Sequence, residues 1–183
     1  TANGLGNNIV LGVYATGSSI YAGTSDGLSI STNGGTSFTN KTTTNGLGSN
    51  SVTSVYANGS NVYAATNLAG GGISISTDGG STFTNKSSDN GTLFDRNGRS
   101  VYAIGNTIYL ATQNYLGIST NGGSTWTRSS SGWASNIGRG VYAIGDGGAT
   151  TKVYAATNGG LAISSNNGST FTNITTGLGS STV

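Results

Sequence analysis

The chain has 183 residues, seven of them Lys or Arg and five of them Asp, for a formal net charge of +2. So few cations exclude the basic stripe on which nucleic-acid binding depends, and with neither Cys nor His there are no disulfides, no thiolate metal sites and no imidazole base. No apolar run is long enough to cross a membrane as a helix.

From the N-terminus, the β-branched and apolar residues Val10 to Ala15 predict a first strand, A, closed by a turn at Thr16-Gly17-Ser18-Ser19. Strand B follows at Ile20 to Thr24. Strand C spans Leu28 to Thr32 after a Ser25-Asp26-Gly27 link, and strand D spans Thr36 to Lys41 after an Asn33-Gly34-Gly35 turn. Leu28 and Ile30 alternate with Ser29 and Ser31, the period of a half-buried strand. The unit returns three times, giving blades over 10–41, 52–86, 99–129 and 139–174. Each copy carries one eight-residue phrase: Ser31, Asn33, Gly35 and Phe38 in the first, then Ser76, Asp78, Gly80 and Phe83. Ser119, Asn121, Gly123 and Trp126 follow, and Ser164, Asn166, Gly168 and Phe171 close the series. The final aromatic recurs after 45, 43 and 45 residues.

A period in the forties is that of one propeller blade, which cannot bury both faces alone and stacks on its neighbours. The predicted fold class is all-β, a β-propeller of four four-stranded antiparallel blades in a single domain over 1–183. Four blades can close on themselves, or two chains can complete an eight-bladed ring as a homodimer, or the chain is a piece of a longer array. The in-phase Asn-Gly-Leu-Gly segments at Asn3 to Gly6 and Asn45 to Gly48, restarted at Thr176, favour the last two. The tyrosines agree with this register. Tyr14, Tyr56, Tyr102 and Tyr142 fall in strand A, while Tyr21, Tyr63, Tyr109 and Tyr154 fall in strand B. With the four phrase aromatics they are expected to pack between blades.

The phrase resembles the Asp box, or bacterial neuraminidase repeat, found in sialidases and in many non-sialidase propellers. That resemblance implies a structural turn between strands C and D, on the face away from a catalytic centre. Only Asp78 keeps the acid; Asn33, Asn121 and Asn166 keep the hydrogen-bonding geometry without charge. The Asn-Gly-Leu-Gly segments are also similar to repetitive propeller arrays of bacterial extracellular proteins, which suggests recognition or display. A sialidase-like site would need a Tyr activated by a Glu, and the chain has no Glu. Asp89 and Asp95 are the only acids near one another in sequence, in a Gly- and Asn-rich loop where solvated acids are ordinary.

The repeat breaks at a few positions, and these are the candidate ligand-binding residues. Phe94, Tyr115 and Trp133 are the aromatics outside the fixed set, all on B-to-C or D-to-A connections and hence at one end of the blades. Asp95 and Arg96 flank Phe94, and Arg99 and Arg139 share one repeat position, two residues before Val-Tyr-Ala, at the mouth of the axial channel. Rings beside guanidinium and amide groups suit sugar stacking or capture of an anionic group; alternatively, these side chains fold inward as a lid. The expected function is a non-catalytic recognition module for a glycan or a protein partner. The alternatives are a structural spacer or self-assembling unit and a divergent sialidase-like glycosidase. No cofactor is expected, a Ca²⁺ site of Asp, Asn and backbone oxygens being the one the composition leaves open. The low-charge, Ser/Thr/Asn/Gly-rich composition suits a secreted or cell-surface bacterial protein without membrane insertion.

Overall fold

The computed structural model describes residues 2–87, 93, 95–129, 131–133, 135 and 137–178. Blade 1 comprises β1 (Val10–Thr16), β2 (Ser19–Thr24), β3 (Gly27–Ser31) and β4 (Thr39–Lys41). Blade 2 comprises β5 (Val52–Asn58), β6 (Asn61–Thr66), β7 (Gly72–Ser76) and β8 (Thr84–Lys86). Blade 3 holds β9 (Gly98–Ile104), β10 (Thr107–Thr112), β11 (Leu116–Ser119) and β12 (Thr127–Ser129). Blade 4 holds β13 (Gly138–Ile144), β14 (Lys152–Thr157), β15 (Gly160–Ser164) and β16 (Thr172–Ile174). Each sheet runs in chain order with antiparallel neighbours, so the protein is an all-β propeller of four four-stranded blades.

Two-residue hairpins join strands A and B in the first three blades, with Thr16 paired to Ser19, Asn58 to Asn61 and Ile104 to Thr107. Their first loop residues, Gly17, Gly59 and Gly105, sit at positive φ, as tight hairpins of this hand require. The C-to-D turn lies at the same end, since the Gly34 amide donates to the Ser18 carbonyl (2.9 Å). The B-to-C and D-to-A connections share the other end, where the Gly27 amide donates to the Asn50 carbonyl (2.6 Å).

Strand A is innermost: β1 packs on β5, β5 on β9 and β9 on β13. The tyrosines of these strands form a ladder, with ring centroids 5.0, 4.7 and 4.6 Å apart from Tyr14 through Tyr56 and Tyr102 to Tyr142. They line the inner wall half-exposed, a departure from the buried packing expected of them. Burial and the neighbouring tyrosines raise the Tyr56 pKa, and burial with the Tyr142 hydroxyl raises that of Tyr102, so both stay neutral donors at physiological pH.

Three of the four strand B tyrosines do become core, Tyr154 being only half-buried. Tyr21, Tyr63 and Tyr109 are buried, each against the A and B strands of the following blade. The rings closing the second, third and fourth phrases, Phe83, Trp126 and Phe171, enter the same clusters, whereas Phe38 of blade 1 is only half-buried; each ring stands one residue before strand D, which is only three residues long. Its amide explains the offset. The Phe38, Phe83 and Phe171 amides donate to the carbonyls of Asn3, Asn45 and Ser131, in the connection leading into the same blade. At each dock a glycine at positive φ (Gly4, Gly46, Gly132) lies so near the phenylalanine carbonyl that no side chain would fit. The D-to-A connection is thus a hook over the blade it precedes, and Leu47 is buried beneath it.

The blades form an arc. Among the described residues β1 and β13 do not pack on one another as the other inner strands do. Val13 at one end is 68% exposed and Tyr142 at the other 51%. No helix among the described residues is long and apolar enough to cross a membrane.

Candidate binding face

At the turn end the phrase is the same device four times over. In blade 1 the Ser31 hydroxyl donates to Asn33 Oδ1 (2.9 Å) and accepts from the Gly35 amide (2.9 Å), while Asn33 Oδ1 accepts from the Ser37 amide (3.0 Å). Blade 2 repeats it with Ser76 and Asp78 (2.7 Å), and the Thr82 hydroxyl adds a bond to the second carboxylate oxygen (2.6 Å). Ser76 and Thr82 together hold the Asp78 carboxyl far below the usual carboxylate range. Ser119 with Asn121 and Ser164 with Asn166 complete the set (2.9 and 2.8 Å). In each blade the serine hydroxyl and the Asn or Asp side-chain oxygen are bonded within the turn, so the geometry explains the phrase as structure.

The loop end is irregular. In each blade one residue of strand A is skipped in the pairing with strand B: Leu11, Thr53, Arg99 and Arg139. These are β-bulges, which leave a residue unpaired and re-aim its side chain. Because strand A is innermost, all four stand where the axial channel opens on the loop end. In blade 2 the bulge stitches two blades together, Thr53 Oγ1 donating to Gly98 O (2.8 Å) and Ala65 O (3.1 Å). In blades 3 and 4 it carries a guanidinium instead. Arg139 is exposed and its Nε donates to Asn158 Oδ1 (2.6 Å), in the B-to-C link of its own blade. Arg99 is half-buried, and its Nε has no hydrogen-bond partner among the described residues.

The remaining sequence-predicted residues divide between packing and surface. Asp95 is 6% exposed and is a bolt: one oxygen accepts from the Asn97 amide (3.0 Å) and side chain (3.3 Å), the other from Asn114 Nδ2 (2.9 Å). It ties the connection into blade 3 to that blade's B-to-C link, and no oxygen is left over for a ligand. Tyr115 is 2% exposed, so the expectation that its ring meets a ligand is corrected. It occupies the place of Gly27 and Gly160, bonded like them to the threonine three residues earlier, and its ring fits because Gly117 replaces the Ser29 of blade 1 beneath it. Trp133 takes the hook position of Leu47 and meets Phe171 edge-on, centroids 5.7 Å apart at 89°. Its Nε1 is buried without a partner among the described residues. Arg96 is exposed beside the blade 2 link, its carbonyl against Gly71. Phe94 and Asp89 lie outside the described residues.

Sequence reading missed Leu68. The B-to-C link of blade 2 runs over Asn67–Gly71, where blade 1 has only Ser25 and Asp26, and it lifts Leu68 to 62% exposure at a φ of 73°. An apolar, non-glycine residue held left-handed at a loop tip is a strained display. The longer link was the legible signal. The described face therefore presents Leu68, Arg96, Arg99 and Arg139, with Trp133 half-buried beside them.

No family model matches the chain, and no curated protein matches it. Among solved structures the arc is similar to an ancestral GH74 enzyme, at 21% identity and a TM-score of 0.73 over 94% of this chain and 24% of that one. It is also similar to the extracellular domain of a B. thetaiotaomicron protein described as a hybrid two-component system, at 15% identity and a TM-score of 0.75 over 97% of this chain and 24% of that one. A third likeness is the computationally designed Ika4 protein, at 11% identity and a TM-score of 0.63 over 89% of this chain and 95% of that one. The chain spans about a quarter of the length of the GH74 and two-component chains. At these identities the likenesses establish the propeller fold.

Proposed function

We propose that this protein is a non-catalytic recognition module that holds a carboxylate-bearing partner, an acidic glycan or an acidic peptide segment, at the loop end of its arc. The observation that carries this reading is the pair of bulge arginines, Arg99 and Arg139, on the innermost strands of adjacent blades. Guanidinium groups present planar forks matched to carboxylate oxygens. Arg96 adds a third cation, and Leu68 an apolar contact at the rim. The neutral tyrosine wall adds no competing charge.

A catalytic role is disfavoured by the chemistry available. The chain has no Glu and no His, and Asp95 has both oxygens committed to amide donors. The phrase at the opposite end, which resembles the Asp box, is a turn whose acid or amide is consumed locally. The low-charge surface fits a secreted or cell-surface setting.

The test is titration with a uronic-acid trisaccharide, its neutral counterpart and an acetylated oligo-glutamate peptide. Arg139→Ala and Arg99→Ala are expected to weaken uronate or peptide binding about tenfold to a hundredfold, the range for a hydrogen bond to a charged group. The circular dichroism of the folded protein should not change. Equal binding of acidic and neutral probes, or arginine variants that bind as tightly as the parent, would refute the reading.

A further inference from the structure

We infer that the two ends of the arc are the two halves of a fourth blade junction, and that a second copy of this chain supplies the missing half, closing an eight-bladed ring from two protomers.

The three junctions inside the chain are built alike. Each takes the strand B tyrosine and strand C isoleucine of one blade, and the strand A valine and phrase aromatic of the next. The isoleucine locks it: Ile30, Ile75 and Ile118 reach under Gly80, Gly123 and Gly168 of the following blade, so closely that a β-carbon on these glycines would strike them. The valine position shows what happens without a neighbour. Val55 and Val101, each covered by a preceding blade, are buried, whereas Val13 of blade 1 is 68% exposed. The opposite half is uncovered on blade 4. Tyr154 is only half-buried where Tyr21, Tyr63 and Tyr109 are buried, and Ile144, the counterpart of the partly buried Ile104, is 55% exposed.

Each exposed group has its counterpart at the other end. Ile163 matches the space under Gly35, which no preceding blade fills, and Tyr142 would continue the ring ladder onto the partner's Tyr14. Gly177 agrees with this: its φ of 77° is that of the hook glycines, yet among the described residues a β-carbon placed on it would meet nothing within 4 Å, where one on Gly4, Gly46 or Gly132 would strike a phenylalanine carbonyl. The occupant is a copy of this chain because the surface asked for is the face of blade 1, complete with its own hook at Asn3 to Gly6. The junction is head-to-tail, with blade 4 of each protomer on blade 1 of the other, so two such contacts close the assembly. Closure has a consequence for the proposed site, since Arg99 and Arg139 of both protomers would then ring one channel mouth.

Light scattering across a dilution series is expected to give a mass about twice 18.1 kDa. Val13→Asp and Ile144→Asp each place a charge on a position already exposed in the single chain, so the fold should hold by circular dichroism. Each variant alone spoils both contacts of the ring and should run at the single-chain mass. Mixed together they retain one intact contact, Ile144→Asp offering blade 1 and Val13→Asp offering blade 4, and a two-chain species should return. A parent chain that stays single, an open-ended ladder of masses, variants that still pair alone, or a mixture that fails to pair would each overturn the inference.

Discussion

The two ends of the blades obey different rules. At the turn end, four hairpins bond a serine hydroxyl to a glycine amide at 2.9, 2.8, 2.9 and 2.9 Å. At the loop end, blade 2 has a lengthened link and blade 3 a buried tyrosine where blades 1 and 4 have glycine. The bulge residue is apolar, hydroxyl-bearing or cationic according to blade. The reason is mechanical. In blades 2 to 4 the turn-end glycine receives the isoleucine of the preceding blade, so a change there disturbs two sheets at once. The loop end is tied largely through backbone and amide groups, the Gly27 amide on the Asn50 carbonyl and Asn114 on Asp95 among them, so fewer of its side chains are fixed by the next blade.

The comparison predicts which substitutions reach stability and which reach only the surface. The largest effect is expected from Phe83→Ala at the turn end, which empties a buried ring position in the first junction and should cost about 3–5 kcal/mol. Calorimetric melting would measure it; a loss near zero would mean that the phrase aromatic does not hold adjacent blades together. Next comes Asp95→Ala, which strands the Asn97 amide and Asn114 and should cost about 1–3 kcal/mol in denaturant titration, with Asp95→Asn recovering part. Were Asp95→Ala silent in stability and damaging in binding, the bolt would have to be read as a ligand group.

A smaller effect is expected from Trp133→Leu, which installs the residue found at Leu47. It gives up the edge-on contact with Phe171 but also removes the unpartnered indole N–H, so the change in stability should stay within about 1 kcal/mol. Acidic-probe binding should not move, and a tenfold loss would make the ring a ligand contact.

Smallest is Asp78→Asn. The Asp78 carboxyl titrates below its ordinary 3.8 because Ser76 and Thr82 bond the charged form. Its contribution is therefore complete above pH 3.8 and lost as pH falls through the lower folded value. Asp78→Asn should flatten the acid side of a stability-against-pH curve and leave it nearly unchanged at neutrality. Asp146, also held low, by the Gly148 amide, would supply a residual slope.

Much of the fold could be read from local pattern. Alternation in Leu28 to Ser31, the Asn-Gly turns and the four phrases are short-range signals, and each determined a hairpin before any packing was known. The site was less legible. Position two before Val-Tyr-Ala was visible as the place where Arg99 and Arg139 depart from Leu11 and Thr53, but nothing in a single chain shows that it is a bulge. Tyr115 and Trp133 were equally visible as departures. Whether an aromatic faces water or fills the place of a glycine or leucine depends on the neighbour beneath it, here Gly117 and Phe171.

The sequence by itself determined the repeat, the strands, their turns and the identity of the charged groups, because these depend on residues a few positions apart. Only the tertiary structure decided that the hooks dock on the strand D of the blade they precede, that Asp95 is spent on amides, and that Val13 and Tyr142 stand uncovered. Those outcomes rest on contacts across long stretches of chain, such as Asn45 with Phe83 and Asp95 with Asn114, and on which blade lies alongside, and chain order alone does not set the arc by which one blade meets the next.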